Sequence, residues 1–272
     1  MNSFESITKP LTWFMALLLA AVVAGCGGGN GVPGFATGPS SGSGPAGASP
    51  DIKTASTYGI IAGSAVTLNG SASIIGDLAI SPGTSLTGTG TVSGTKHLGD
   101  ATAAQARLDQ NAAFTDASTR SAHACSITAN LSVAQGACSG YAITPGTNST
   151  VGTVTAATYE PGLYVTGSTI GLASNMILDA KGNQDAVFIF KSGSAITTST
   201  SSKVILTGSA QAKNVWWVAP AGATLGVTST FAGTVLADTG PVVVNNGTTV
   251  AGRLFSNTAA ATVDTGSTIT AP

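Results

Sequence analysis

Residues that could carry acid–base or metal chemistry are scarce in this sequence. Charged residues make up 8% of it, the formal net charge is −1, and there are two histidines. From Val187 onwards the charged residues stand alone and include neither glutamate nor histidine: Lys191, Lys203, Lys213, Asp238, Arg253 and Asp264. Catalysis by general acids and bases needs titratable groups close to one another, and nucleic-acid binding needs a basic surface. The sequence therefore predicts no enzyme, no cofactor and no nucleic-acid partner.

Cysteine is the next candidate for chemistry. Cys125 and Cys138 lie in the body of the chain, and in an exported protein such a pair is by default a disulfide. Free thiols or a metal pair are the alternatives, but only His97 and His123 could complete a metal site. We predict a disulfide between the two cysteines and no metal site.

Threonine offers a third kind of chemistry, because its methyl and hydroxyl groups are held in place by a stiff χ1 torsion. Uncharged pairs with the spacing small-x-Thr, or close variants of it, recur along the chain. They are Ala65 with Thr67, Thr169 with Gly171, Ala195 with Thr197, Gly222 with Thr224, Pro241 with Val243, and Ala260 with Thr262. If one surface carries all of them, it is a rigid lattice that loses little entropy on binding.

A repeat near the end of the chain indicates how such a surface is built. The stretches Asn214–Ala232, Gly233–Ala251 and Gly252–Thr270 align column by column with a period of nineteen residues. A fixed period near twenty, with short β-prone runs broken by Gly and Asn, is typical of a solenoid. The predicted fold is mainly β: an irregular β-helix (β-solenoid) of triangular coils of about nineteen residues.

The repeat columns also predict which side of each strand row is buried. The first row has large apolar residues in two adjacent columns, so one column faces the interior and the other needs a cover. These columns are Trp216 with Val235 and Leu254, and Trp217 with Leu236 and Phe255. In the middle row, inward and outward residues alternate. The column of Leu225, Val244 and Val263 faces the interior, and the small-x-Thr pairs point outward. The third row buries Phe231, Val250 and Ile269 and exposes Thr230, Thr249 and Thr268.

One stretch, Asp100–Ala124, breaks the β pattern and predicts a long helix near residues 100–124. Asp100 is a suitable N-cap, and no Gly or Pro follows within the stretch. Ala101, Ala104, Leu108, Ala112 and Thr115 fall on one helical face. A single helix of this length needs tertiary support, and the first strand row needs a cover. We therefore expect the helix to pack along that face of the solenoid.

The N-terminal part indicates export. Residues 1–25 read as a lipoprotein signal peptide, since an apolar run from Leu11 ends in Val23-Ala24-Gly25-Cys26, which resembles a bacterial lipobox. Cys26 is then the lipidated residue, and an ordinary secretory signal or a short membrane anchor is the alternative. Residues 26–50 are rich in Gly, Ser and Pro and predict a flexible tether. The folded domain is expected over residues 51–272.

The sequence resembles the microbial ice-binding (antifreeze) proteins, in which an irregular β-solenoid carries one long side helix. The resemblance extends over about Ser56–Pro272 and is carried by Pro161–Tyr164, Val187–Phe190, Ala210–Trp217, Gly233–Ala237 and Thr268–Pro272. It implies adsorption to ice on one flat face, with inhibition of ice growth and recrystallisation. The small-x-Thr pairs resemble the Ala-x-Thr spacing on the binding face of this family. Strands that stack at roughly 4.8 Å come close to repeats in the ice lattice.

Two alternatives stay open at this point. The Thr230, Thr249 and Thr268 column is a more regular threonine ladder and is the rival ice face. A cell-surface adhesin or structural envelope module is the rival function, because outward threonines are common on strands. The expected partners are the ice surface and, through the acyl anchor, a lipid bilayer. We expect a monomer located at the outer membrane or cell surface, or secreted.

Overall fold

Parallel strands stacked along one axis form most of the molecule. The computed structural model describes residues 47–121, 124–127, 130–131 and 157–272. The predicted signal peptide, most of the predicted tether, Cys26 and Cys138 lie outside the described residues. Among the described residues no helix is both long and apolar enough to cross a membrane.

Short strands and one long helix follow one another along the described part of the chain. They are β1 (Tyr58–Ala62), β2 (Ala65–Leu68), β3 (Ser73–Ile75), β4 (Asp77–Ile80), β5 (Ser85–Gly88), β6 (Thr91–Val92), β7 (Lys96–Leu98), helix α1 (Ala101–Thr119), β8 (Cys125–Ser126), β9 (Ala157–Tyr159), β10 (Gly162–Thr166), β11 (Ile170–Leu172), β12 (Met176–Asp179), β13 (Phe188–Ser192), β14 (Ile196–Thr198), β15 (Val204–Thr207), β16 (Val215–Ala219), β17 (Ala223–Leu225), β18 (Thr230–Ala237), β19 (Val242–Val244), β20 (Thr249–Ser256), β21 (Ala261–Val263) and β22 (Thr268–Thr270). Short 3₁₀ turns at Lys53–Thr57 and Ala212–Asn214 precede β1 and β16.

The strands form three faces of a solenoid. The helix-covered face runs in the spatial order β8, β10, β13, β16, β18, β20, β1, β4, β7, and the middle face runs β11, β14, β17, β19, β21, β2, β5. The third face contains β9, β12 and β15 and, beyond a bridge from Lys203 to Thr230, the first halves of β18 and β20 followed by β22, β3 and β6. The predicted β-solenoid is confirmed.

Strands β18 and β20 each belong to two faces. Their first halves lie on the third face, and after a bend at the corner their second halves lie on the helix-covered face. Gly233 has φ +116° at this corner, and a Cβ on Gly252 would lie 1.9 Å from the carbonyl oxygen of Gly233. Only glycine combines this conformation with so close an approach of two backbones.

The chain does not stack its coils in sequence order. Strands β1, β2 and β3 pair with β20, β21 and β22, so the N-terminal coils are added to the C-terminal coil. They continue the stack to the end formed by β5, β6 and β7. Helix α1 then carries the chain back to the opposite end, where β8 pairs with β10.

Helix α1 covers one face as predicted, but it is shorter and is rotated relative to the prediction. It ends at Thr119 rather than Ala124, and Asp100 caps it by accepting a hydrogen bond from the Ala103 amide at 2.7 Å. The buried side carries Ala103, Ala106, Asp109, Gln110, Ala113 and Ala117. The predicted contact face is wrong: Leu108 is 54% exposed, and Ala101, Ala112 and Thr115 are also exposed.

The pairing of Trp216 and Trp217 also differs from the prediction. Trp216 pairs with Thr234, and Trp217 pairs with Val235, because the turn that follows β16 is one residue shorter than the turn that follows β18. Trp217 therefore belongs to the interior column with Val235 and Leu254, where its ring stacks on Phe190 at 4.4 Å between centroids. Trp216 lies on the other side of the strand, in the cluster beneath the helix with Ile189, Val218, Leu236 and Phe255.

Candidate functional site

The middle face is an uncharged parallel sheet of seven strands. Six of the strands bury alternate side chains, as in Ile170 and Leu172, Val242 and Val244, or Val66 and Leu68, and in the end strand β5 Leu86 is half-buried. No charged residue occurs in any of its strands. The sheet is therefore anchored mainly by aliphatic residues below, and above it presents small residues, threonines, Pro241 and Val243.

The predicted site residues form two continuous outward columns on this face. The Thr column consists of Gly171, Thr197, Thr224, Val243, Thr262, Thr67 and Thr87. The small-residue column consists of Thr169, Ala195, Gly222, Pro241, Ala260, Ala65 and Ser85, as their backbone bonds and strand registers show. All twelve residues predicted from the sequence lie in these two columns. The prediction that they share one surface is thus consistent with the geometry.

Two residues at the end of the face, Ser85 and Thr87, were missed by the sequence analysis. Ser85-Leu86-Thr87 has the same alternation as Ala65-Val66-Thr67, and β5 pairs with β2 residue for residue. The repeated small-hydrophobic-Thr triplet was the available signal. It extends the uncharged surface by one strand.

Spacing within the columns is regular. Neighbouring parallel strands lie roughly 4.8 Å apart, and residues two apart in one strand lie roughly 6.6 Å apart. The face is therefore a nearly rectangular lattice about 29 Å long from β11 to β5. Thr197, Thr224 and Thr87 are exposed, while Thr67, Val243 and Thr262 are half-buried by their neighbours.

The hydroxyl groups of the Thr column differ in whether they already form a hydrogen bond within the protein. Thr67 Oγ1 and Thr87 Oγ1 are hydrogen-bonded at 3.1 Å, and Thr197 Oγ1 donates to the Ile170 carbonyl at 3.5 Å. Thr224 and Thr262 have no side-chain hydrogen bond to any described residue. These two hydroxyls at the centre of the face are free to meet an external partner.

Gly222 contributes to the face by having no side chain. Its φ is +99°, and a Cβ placed on it would lie 2.3 Å from the carbonyl oxygen of Pro241. The small-residue column thereby brings the turn before β17 close to the turn before β19. Any larger residue at this position would push the two strands apart and break the lattice.

A buried polar ladder stiffens the corner between the middle face and the third face. Thr198 Oγ1 accepts from the Gly226 amide at 2.8 Å, and Thr248 Oγ1 donates to the Gly226 carbonyl at 2.7 Å. Ser267 Oγ donates to the Asn245 carbonyl at 2.9 Å. Because buried polar groups with satisfied hydrogen bonds fix local geometry, the ladder holds the edge of the middle face rigid.

The third face carries the rival threonine ladder, and it is less uniform. Thr230, Thr249 and Thr268 align as predicted, and the structure continues their column with Ser73 and Thr91. Lys203, which is exposed, bridges directly to Thr230 and ends the uncharged run on that side. Ile75, 47% exposed, further interrupts the small residues of this face.

A small charged cluster lies beyond β12 on the same side. Lys181 Nζ lies 3.1 Å from both Glu160 Oε1 and Asp179 Oδ2. The pKa of Asp179 is lowered by the backbone N–H of Lys181 and by the ammonium group. Among the described residues no group of His, Cys, Asp and Glu side chains could hold a metal ion.

Cys125 lies in β8 at the end of the solenoid opposite β5. It is buried and disulfide-bonded. Both other cysteines of the chain, Cys26 and Cys138, lie outside the described residues. The predicted pairing with Cys138 stays a prediction.

The fold and the middle face together define a class of protein: a parallel β-solenoid with a helix on one face and an uncharged lattice of small residues and threonine on another. The chain belongs to the ice-binding-like family, whose sequence profile matches residues 60–270.

Three similar proteins illustrate this relation. An ice-binding protein of Nostoc sp. (strain HG1) is 30% identical over 188 residues, which cover 68% of this chain and 61% of that protein. The chain thus spans less than two thirds of the length of that relative. The crystal structure of an ice-binding protein from the Antarctic ascomycete Antarctomyces psychrotrophicus is similar with a TM-score of 0.70 and 31% identity, covering 82% of this chain and 98% of that one. The crystal structure of an ice-binding protein from an Antarctic Flavobacteriaceae bacterium is similar with a TM-score of 0.70 and 27% identity. The match covers 87% of this chain and 51% of that one.

Proposed function

We propose that this protein binds ice crystals through the middle face and thereby inhibits ice growth and recrystallisation. The observation that carries the proposal is the pair of uncharged columns that runs without a break across seven strands. Membership of the ice-binding-like family supports it.

The physical basis is the fit between a rigid lattice and an ordered solid. Methyl groups of the Thr column order neighbouring water, and the hydroxyls of Thr224 and Thr262 can replace water in hydrogen bonds to the crystal. Since the χ1 torsion of threonine is restricted and the strands are held by a buried core, little entropy is lost on adsorption. Charged groups would hold a disordering hydration shell, and none occurs in these strands.

The middle face supports the proposal better than the third face does. The rival ladder Thr230, Thr249 and Thr268 ends against Lys203, whereas the Thr column continues from Gly171 to Thr87. We therefore assign the ice-binding role to the two columns of the middle face and no catalytic role to any residue.

The proposal includes export and anchoring. A signal peptide over residues 1–25 and acylation of Cys26 would locate the domain at the outer membrane or cell surface, with a secreted form as the alternative. A disulfide between Cys125 and Cys138 is compatible with that oxidising location. We further propose that the domain acts as a monomer.

A freezing experiment tests the proposed function. Purified protein is frozen slowly on a cold surface, and the ice and liquid fractions are assayed; thermal hysteresis and crystal shape are recorded in parallel. We expect enrichment in the ice fraction and faceted crystals. A folded protein that stays in the liquid and leaves crystals unshaped contradicts ice binding and favours an adhesin or envelope role.

A further inference from the structure

An open cleft of about 240 Å³ lies beside β16 and the second half of β20. Lys53, Lys213 and Arg253 line it together, and we call it the basic cleft. Asp51 is the one acid among its described lining residues. No described residue of the Thr column or of the small-residue column lines it. The basic cleft is therefore separate from the candidate ice-binding surface.

Basic residues are concentrated at this cleft although the protein has few of them. The whole sequence contains ten Lys and Arg residues, and three of them line the basic cleft. Lys53 and Lys213 are exposed and form no ion pair with a described side chain. Lys181, by contrast, lies 3.1 Å from two carboxylates. The cleft thus carries more positive than negative charge.

Arg253 is the buried member of the cleft, with 5% of its surface exposed. Its Nε donates to the Ser56 carbonyl at 2.9 Å and its Nη2 to the Pro272 main-chain oxygen at 3.2 Å, while Nη1 lies 3.5 Å from Thr234 Oγ1. Within the part of the chain that the structure describes, no side-chain carboxylate pairs with it. Burial lowers the pKa of its guanidinium, in keeping with a charge that water solvates poorly. Because a guanidinium keeps its charge in proteins and a buried charge without a counter-ion is costly, an anion in the cleft would stabilise this residue.

The solenoid itself does not require an arginine at this position. Arg253 pairs with Thr234 of the preceding coil, and Thr234 pairs with Trp216. Two neighbouring coils therefore place neutral residues in the same column. A neutral donor could bind the Ser56 carbonyl without the cost of burying a charge. An anionic ligand explains the fixed cation better than packing does.

Lys53 is held at the cleft in an uncommon backbone conformation. Its φ is +41°, in the left-handed region that a residue with a Cβ adopts only with strain. Its amide donates to Asp51 Oδ1 at 2.9 Å. Strained residues are often found where a ligand is clamped. This turn fixes the positions of Asp51 and Lys53 at the cleft.

We propose that the basic cleft binds a small organic anion of monosaccharide size, a sugar acid or a sugar phosphate, through its carboxylate or phosphate group. Arg253 supplies the planar fork of N–H donors that matches either group, and Lys53 and Lys213 add positive charge on the exposed side. Ser56 adds an exposed hydroxyl that can bind a hydroxyl of the ligand.

The size of the cleft limits the ligand. Its volume of about 240 Å³ is below the range of roughly 300–1,000 Å³ that is usual for drug-sized ligands, so the ligand is small. Because the cleft and the middle face share no residues, this binding is independent of ice binding.

Isothermal titration calorimetry of the purified protein at low ionic strength tests the proposal. Glucuronate and glucose 6-phosphate are titrated in turn, with neutral glucose as the matched control and inorganic phosphate as the bare oxyanion. We expect saturable binding of the organic anions, weaker binding of inorganic phosphate, and no heat of binding with glucose. Added salt should weaken the binding, because charges at an exposed site are screened.

Variants of the basic residues locate the site. Lys213→Gln and Lys53→Gln should each weaken glucuronate binding severalfold, since each removes one positive charge from the cleft. Both side chains are exposed, so both variants should melt like the unmodified protein. Arg253→Lys keeps the charge but loses the planar fork, and it should bind roughly tenfold more weakly. Lys203→Gln, an exposed lysine outside the cleft, is the matched control and should bind normally.

The outcomes separate this proposal from the proposed function. Absence of binding by both organic anions overturns the site, and binding of only one supports the site and identifies its oxyanion. Equal affinities of the unmodified protein, Lys213→Gln and Lys53→Gln overturn the location, whatever the stability of Arg253→Lys. Inorganic phosphate that binds as tightly as glucose 6-phosphate overturns the monosaccharide class. Thermal hysteresis of the same preparation reports on ice binding alone, and its absence does not affect the result for the cleft.

Discussion

Thr67 Oγ1 and Thr87 Oγ1 lie 3.1 Å apart on the paired strands β2 and β5. These strands come from the N-terminal coils, yet they prolong a column whose other members come from the second half of the chain. The candidate ice-binding surface is therefore assembled from two separate stretches of sequence that meet where Thr262 pairs with Thr67.

Thr224→Tyr should lower thermal hysteresis severalfold, because an aromatic ring at the centre of the middle face prevents flat contact with the crystal. Its exposed position predicts a change in the free energy of unfolding within about 0.5 kcal/mol. Hysteresis and thermal melting measure the two effects. Thr249→Tyr on the third face is the matched control and should keep its activity. Loss of activity in the control with retention in Thr224→Tyr would move the site to the third face.

Thr87→Tyr tests the extension of the surface into the N-terminal coils. We expect a smaller loss of hysteresis than with Thr224→Tyr, because the ring stands at the end of the lattice and blocks fewer strands. Thr91→Tyr, in the same coil but on the third face, is the control. If Thr87→Tyr and Thr91→Tyr both behave like the unmodified protein, the surface that contacts ice ends before β5.

Trp216→Ala should lower the free energy of unfolding by roughly 3–5 kcal/mol, since it empties a large site beneath the helix. Trp216 is 2% exposed, whereas Leu108 on the outer side of α1 is 54% exposed. Leu108→Ala is therefore expected to change the unfolding free energy by about 0.5 kcal/mol or less. Denaturant titration checks both values, and equal losses would contradict the assignment of the buried helix side.

Asp109 predicts a specific pH dependence of stability. Burial raises the pKa of its carboxyl, but hydrogen bonds from Thr54 and Gln105 outweigh burial, and the net pKa is lowered. The unfolded value is about 3.9. The carboxylate therefore stabilises the fold fully above that pH, and this contribution is lost as the pH falls through the lower folded-state pKa.

Asp109→Asn should remove that part of the acid sensitivity and lower the stability at neutral pH. Unfolding free energies measured from pH 7 downwards provide the check. Asp185→Asn, on an exposed turn, is the control and should follow the unmodified protein. An Asp109→Asn protein with an unchanged acid profile would show that the Thr54 contact does not depend on the charge.

The cysteine variants decide which thiol pairs with Cys125. Cys125→Ser should cost about 2–5 kcal/mol of stability, as is usual for a disulfide in a small exported domain. If Cys138 is the partner, Cys138→Ser should cost the same and the double variant no more. If Cys138→Ser is silent while Cys125→Ser is not, the predicted pairing is wrong. Peptide mapping under non-reducing conditions identifies the bond directly.

Much of the solenoid could be predicted from side-chain periodicity. The columns Leu225, Val244, Val263 and Phe231, Val250, Ile269 occur in the structure as aligned, because each must bury one apolar residue per coil. The helix cap at Asp100 followed from local hydrogen-bond chemistry. The twelve residues predicted for the site share one surface because the two-residue period of a strand fixes which side chains point outward.

The errors have physical causes that lie outside the local pattern. The register of Trp216 depends on the length of one turn, and in either register Trp217 and Val218 pair with apolar residues of β18. The helix is rich in alanine on every side, so composition did not select the side that packs; Gln110, which donates to the Ala237 carbonyl at 3.2 Å, marks that side in the structure. The stacking of β1 on β20 is a contact between distant parts of the chain, and no repeat column in the sequence predicts it.

That stacking has a consequence for how the chain acquires its structure. In ordinary repeat proteins each unit is stabilised by its neighbours along the chain, so order can spread from either end. In this protein Ile60 pairs with Leu254, and Asn69 Nδ2 donates to Asp264 Oδ1 at 2.8 Å. The coils made first therefore find their partner only after the final strands have left the ribosome. Such large sequence separation slows folding, so the N-terminal coils are expected to join late, after the coils from β8 to β22, which stack in chain order.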